Sequence, residues 1–68
     1  MDQPSIGRIV HFVEAREDHV AHRSAIITAV NDRDVHLTVW TPYAEYRKQY
    51  VRYDASAAPG TYHWPERV

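Results

Sequence analysis

Short apolar runs separated by polar connections divide this chain into five strand candidates. The first, Ile6 to Glu14, carries Ile9, Val10, Phe12 and Val13, with His11 inside the run. Gly7 near its start marks a bulge or a close backbone approach. Ala15-Arg16-Glu17-Asp18-His19 is strongly charged and reads as an exposed loop. The second candidate, His22 to Val30, holds the nearly continuous apolar stretch Ala25-Ile26-Ile27-Thr28-Ala29-Val30, the pattern of a central strand. Asn31-Asp32-Arg33-Asp34 follows as a turn, because Asn and Asp tolerate left-handed backbone and bond their own main chain. The third, Val35 to Thr41, alternates cleanly: Val35, Leu37 and Val39 point one way, and His36, Thr38 and Trp40 the other.

After Pro42, which cannot donate to a ladder, the pattern blurs. Tyr46 and Tyr50 fall on one face at either helical or strand spacing. The alternation Gln49, Val51, Tyr53 favours a strand over residues 47–53. Asp54 to Gly60 is a loop of small residues, and Thr61-Tyr62-His63-Trp64 is a short last strand stopped by Pro65. Five short strands, a long polar loop after the first and a tight hairpin between the second and third predict an all-β fold, a five-stranded SH3-like barrel. An antiparallel meander or a partly open sandwich is the alternative. Phe12, Ile27, Leu37, Val39, Tyr53, Tyr62 and Trp64 are the predicted core and C-terminal docking residues, with Trp40 a further candidate.

Composition agrees. Val, Ile, Thr, Tyr and Trp fit a pleated, half-buried surface, whereas Leu occurs once and Met only at the start. Sixty-eight residues make a single domain, 1–68. A chain this short buries about 60% of the surface its unfolded form exposes. With no cysteine it has neither a disulfide nor a thiolate metal site, so oligomerisation or docking on another protein becomes a natural source of stability. The net charge of −1 lacks the basic excess of small nucleic-acid binders. Met1-Asp2-Gln3-Pro4 lacks the basic and apolar regions of a signal peptide, so none is expected. No apolar run approaches the roughly 20 residues of a membrane span.

One stretch carries a resemblance. Pro59-Gly60-Thr61-Tyr62-His63-Trp64-Pro65-Glu66 resembles the ending of a family of small actinobacteriophage and prophage proteins with a Gly-Thr-Trp-His-Trp-Pro-Glu type motif. Gly7-Arg8-Ile9-Val10-His11-Phe12 is similar to the family's opening, Arg23-Ser24-Ala25-Ile26-Ile27-Thr28 to its Arg-Ala-Ala-Ile-Val-Thr strand, and Val51 with Tyr53-Asp54 to its Val-Pro-Tyr-Asp segment. Tyr62, Arg52 and Ala44 stand where Trp, Pro and Gly are usual. The resemblance implies a compact β domain of phage origin, placed in the host cytoplasm or the virion. It implies no activity.

Candidate chemistry is thin. Five histidines raise the question of zinc, with His19 and His22 three apart and His36 and His63 able to approach them in a barrel. Spacing alone specifies little. Zinc wants three or four well-oriented ligands, so solvent-facing histidines are the plainer account, and no metal or cofactor is expected. A hydrolytic set, His63 with Asp54 or Glu66 and Ser24 or Ser56, matches no catalytic motif. No enzymatic activity is expected. The aromatics of the second half are more informative, since SH3-like domains often bind through aromatic-lined grooves. Tyr43, Tyr46 and Tyr50, interleaved with Arg47, Lys48 and Arg52, are the candidate binding residues. The expected function is a non-catalytic interaction module that binds a protein or itself, either a self-associating virion component or an accessory factor aimed at a host protein. The alternative is a nucleic-acid or small-nucleotide binder using the Tyr/Arg strand as a stacking platform. The missing basic charge counts against that alternative.

Overall fold

Alternating Val35, Leu37 and Val39 are buried, because a strand that is apolar on one face only must lay that face on a core. The computed structural model describes residues 3–65; Met1, Asp2 and Glu66, which belong to the two terminal motifs, lie outside them. The strands are β1 (Ile9–Ala15), β2 (Val20–Val30), β3 (Val35–Trp40), β4 (Glu45–Val51) and β5 (Tyr62–His63). They form one antiparallel sheet in the order β4-β3-β2-β1-β5. No helix occurs among the described residues, so the all-β expectation holds.

The turns follow the residues predicted for them. Asn31 N–H donates to Asp34 O at 2.9 Å, and its side chain reaches the Asp34 carboxylate at 2.7 Å. Thr41 closes the next hairpin, its hydroxyl accepting from Ala44 N–H at 3.0 Å. The connection after β1 is tighter than the charge pattern suggests. It is a short hairpin, Arg16 N–H to His19 O at 2.8 Å, not a long loop.

The segment that follows β4 returns to β5. Tyr62 N–H donates to Arg52 O and Asp54 N–H to Tyr62 O, each at 3.0 Å, which gives a parallel bridge between Tyr53 and Tyr62. The core holds Val10, Phe12, Ala25, Ile27, Val35, Leu37, Val39, Val51 and Tyr62, with Tyr46 and Trp64 packed at the margin.

Two core expectations change. Tyr53 is 43% exposed, because it lies beyond β4, where the chain crosses to Tyr62. Its ring meets Tyr62 edge-on at 5.6 Å between centroids. Trp64 is half-buried rather than central. It packs on the core cluster, and the Arg8 guanidinium lies 4.8 Å from its ring centroid. Trp40 is also on the surface, its indole N–H donating to Glu45 Oε2 at 3.0 Å.

Two bulges set which side chains face in. Between Ile27 and Ala29 the β2–β3 register slips by one residue, and Thr28 Oγ1 donates to His36 O at 3.3 Å. In β4 the partners of Leu37 and Val35 are Lys48 and Val51, so one extra residue is accommodated. Tyr50 takes the left-handed conformation there, φ 57°, as bulges commonly require of one residue. The bulge turns Val51 into the core and Tyr50 out.

Candidate functional site

The aromatic residues of the chain's end converge on a cleft. Tyr62, anchored in β5, presents its ring to the interior, Tyr53 approaches from the crossing segment, and Trp64 follows two residues on. Together with Val35 and the Asn31–Asp34 turn they line a cleft of about 210 Å³. Gln3 and Pro4 close one side. Tyr62 meets both other rings edge-on, Tyr53 at 5.6 Å and Trp64 at 6.2 Å between centroids, a preferred aromatic geometry. Asp32 and Asp34 against Arg33 leave the turn side of the rim net acidic. Burial, with a smaller contribution from Tyr53, holds the Tyr62 phenol above its ordinary value.

The predicted binding residues do not form this cleft, nor a single surface. Tyr46 points inward, packs on the core and donates its hydroxyl proton to Glu14 Oε2, so it is not a free stacking ring. Tyr50 is carried outward by the bulge and packs edge-on against His36 at 4.9 Å. Tyr43 is 96% exposed at the tip of the β3–β4 hairpin. Arg47 and Lys48 are neighbours in β4, opposite Thr38 and Leu37, and so face opposite sides of the sheet. Arg52 lies past the strand's end. Tyr46, Arg47 and Lys48 do border a second, wider depression of about 570 Å³ beside Phe12–Arg16 and Pro59-Gly60. Of the cleft aromatics, all expected in the core, Tyr62 is buried there, Trp64 packs at its margin and Tyr53 is exposed. The signal that distinguishes them is the Tyr53–Tyr62 crossing, which no local pattern encodes.

Glu14 ties that depression together. Its Oε1 accepts from Arg23 Nε at 3.2 Å, Arg23 Nη2 at 3.1 Å and Arg16 Nη1 at 3.1 Å, while Oε2 accepts from Tyr46. The Tyr46 hydroxyl, helped by Arg23 and opposed by burial, holds the Glu14 carboxyl below its ordinary range. Burial and then the Glu14 charge push Tyr46 up to about 12.

The outer face of the sheet holds a second cluster. His11 of β1 is cross-strand from His63 of β5, and His22 of β2 pairs with Val13, two residues along from His11. Ring centroids are 5.5 Å apart for His11–His63 and 5.1 Å for His22–His63. One ring nitrogen from each of the three lies within 4.8 Å of the others. This is not the set suggested by spacing. His19 is exposed and bonded to Asp18 at 2.6 Å, and His36 packs on Tyr50. Of the hydrolytic set, Glu66 lies outside the described residues. Asp54 caps a turn through Ser56 N–H at 2.7 Å, and Ser24 is separated from His63 by β1, roughly 9–10 Å at ordinary strand spacing.

No protein-family model, curated protein or solved structure matches the chain.

Proposed function

We propose that the protein is a non-catalytic interaction module of SH3-like type, which docks an extended, basic segment of a partner protein in the cleft between Tyr53, Tyr62 and Trp64. The observation that carries this reading is the convergence of three aromatic rings in one concave site with an acidic rim. Extended segments, those with proline above all, dock in aromatic-lined grooves because their ordering costs little. Asp32 and Asp34 give the site its preference for a cation. The strand order, with the segment after β4 bridged to β5, supports the SH3-like assignment. The resemblance of the C-terminal motif to small phage proteins supports a host or virion protein as the partner.

The test is selection of peptides from a random display library on the intact chain, followed by nuclear magnetic resonance mapping of a selected peptide. Selected sequences should be enriched in Lys, Arg and Pro and should shift the Tyr53, Tyr62 and Trp64 signals. Tyr53→Ala, at a half-exposed position, should weaken binding at least tenfold without changing the thermal midpoint by more than a few degrees. Shifts confined to β4, or unchanged affinity in Tyr53→Ala, would reject the cleft as the docking site.

A further inference from the structure

We infer that His11, His22 and His63 form a binding site for a divalent transition-metal ion of the zinc class, which clamps β5 onto the sheet. This goes beyond the interaction reading and does not depend on it. It also revises the expectation that the histidines are merely solvent-facing: of the four considered from spacing, His22 and His63 join His11 here.

The fold supplies what spacing could not. The three imidazoles stand on three strands of one sheet, with His11 and His63 directly opposite each other and His22 one diagonal step away. Sites on strands hold their ligands more tightly than sites on loops. The candidate ligand atoms already lie within 4.8 Å of one another. Three nitrogens bound tetrahedrally at the usual zinc distance of about 2.0–2.1 Å sit roughly 3.3–3.4 Å apart. Closing that gap takes about 1.5 Å at most, within reach of ring and side-chain rotation on a fixed backbone. His22 is exposed, so the site opens to solvent and leaves a fourth position for water.

The donor set selects the ion. Three imidazoles suit zinc, nickel and copper, whereas calcium and magnesium require oxygen ligands. The consequence is mechanical. β5 is only two residues long, yet it carries Tyr62 of the core and leads into Trp64. A metal held by His63, His11 and His22 would fasten that strand to β1 and β2 from the face opposite the core.

Isothermal titration of the chelator-treated full chain with Zn²⁺ tests this, alongside thermal melts. One ion per chain should bind with a dissociation constant in the micromolar range or below, and saturating Zn²⁺ should raise the melting midpoint by several degrees. His22→Gln and His63→Gln should each weaken binding at least tenfold, and His19→Gln should leave it unchanged. Circular dichroism checks that each variant is folded; His22→Gln, at an exposed position, suffices if His63→Gln is not. No saturable binding at millimolar Zn²⁺, equal loss in His19→Gln, or binding indifferent to His22→Gln would each overturn the site. Peptide binding at the aromatic cleft is read in separate experiments without metal, so either proposal can fail alone.

Discussion

Tyr46 and Glu14 lie 32 residues apart in sequence and on strands separated by two others, yet the phenol donates directly to the carboxylate across the inside of the sheet. The bond links β4 to β1, which no backbone ladder joins. Hydrogen bonds to charged groups contribute roughly 1.5–3 kcal/mol. Tyr46→Phe keeps the ring on the core and removes only the donor, so it should lower the unfolding free energy by about that amount. Urea unfolding with an unchanged slope checks it. A difference below about 0.5 kcal/mol, less than an ordinary neutral hydrogen bond contributes, would mean that the bridge is offset by the desolvation of its partners.

The same pair predicts how stability depends on pH. Folding lowers the Glu14 carboxyl from its ordinary 4.5, so its contribution is present above that value and is lost as the pH falls below it. Folding raises Tyr46 from 10.0 to about 12. Its contribution is therefore present below pH 10.0 and is lost as the pH rises toward about 12. Neither of these two groups adds a slope to the urea midpoint between these flanks. Tyr46→Phe should soften both flanks but not abolish the alkaline one, since burial also raises Tyr62. An acid flank identical in Tyr46→Phe and the parent would show that the Tyr46 hydroxyl does not set the Glu14 ionisation.

How much of this was legible in the sequence depends on whether the information was local. Val35, Leu37 and Val39 could be placed because alternation reports burial directly, and the Asn31–Asp34 turn because its residues carry their own hydrogen bonds. Tyr46 and Tyr50 misled for the opposite reason. A regular strand puts positions four apart on one face, and the β4 bulge adds the one residue that undoes this. The histidine cluster was hidden for a topological reason. His11, His22 and His63 meet only because β1 pairs with β2 on one side and β5 on the other, and sequence separation says nothing of that.

Backbone strain gives a third prediction. Ala57 has φ 60° and Gly60 φ 84° in the loop that leads into β5. Left-handed backbone costs a residue with a Cβ roughly 1–2 kcal/mol, and glycine's greater freedom in the unfolded chain returns about 0.5–1 of that. Ala57→Gly should therefore stabilise the protein by up to about 1 kcal/mol, roughly 4–8 °C in a domain this small. Gly60→Ala should shift it the other way, although no atom lies within 4 Å of the added methyl. Equal melts for the parent and both variants would refute the assignment of strain to these two positions.

The C-terminal aromatics should differ sharply. Tyr62 is 3% exposed and sits among the core residues of four strands. Its truncation should cost the ~3–5 kcal/mol usual for large buried rings, about the whole stability of a domain this size. Tyr62→Ala should be unfolded at room temperature. Trp64, half-buried at the margin, should be tolerated: Trp64→Ala should melt lower by several degrees but stay cooperative. If instead Trp64→Ala unfolds and Tyr62→Ala does not, the core is organised around the tryptophan.

Binding to nucleic acid should be weak, and the reason lies in β4. A stacking platform for single strands needs aromatic faces and cations on one continuous surface. Here Tyr46 is turned inward to Glu14 and Tyr50 is packed on His36, while Arg47 and Lys48 face opposite sides of the sheet. Of the three candidate tyrosines, Tyr43 and Tyr50 are exposed, but Tyr43 lies at a hairpin tip and Tyr50 is engaged edge-on by His36. With one or two phosphate contacts available at once, the logarithmic salt slope should be no steeper than about −1 to −2, at roughly −0.7 to −0.9 per contact. A fluorescently labelled oligonucleotide titrated at several salt concentrations reads that slope, and Arg47→Ala and Arg52→Ala should change it little. Tight binding at physiological salt with a steep slope that both variants flatten would mean that β4 rearranges to gather its cations, and that the strand rather than the cleft is the protein's working surface.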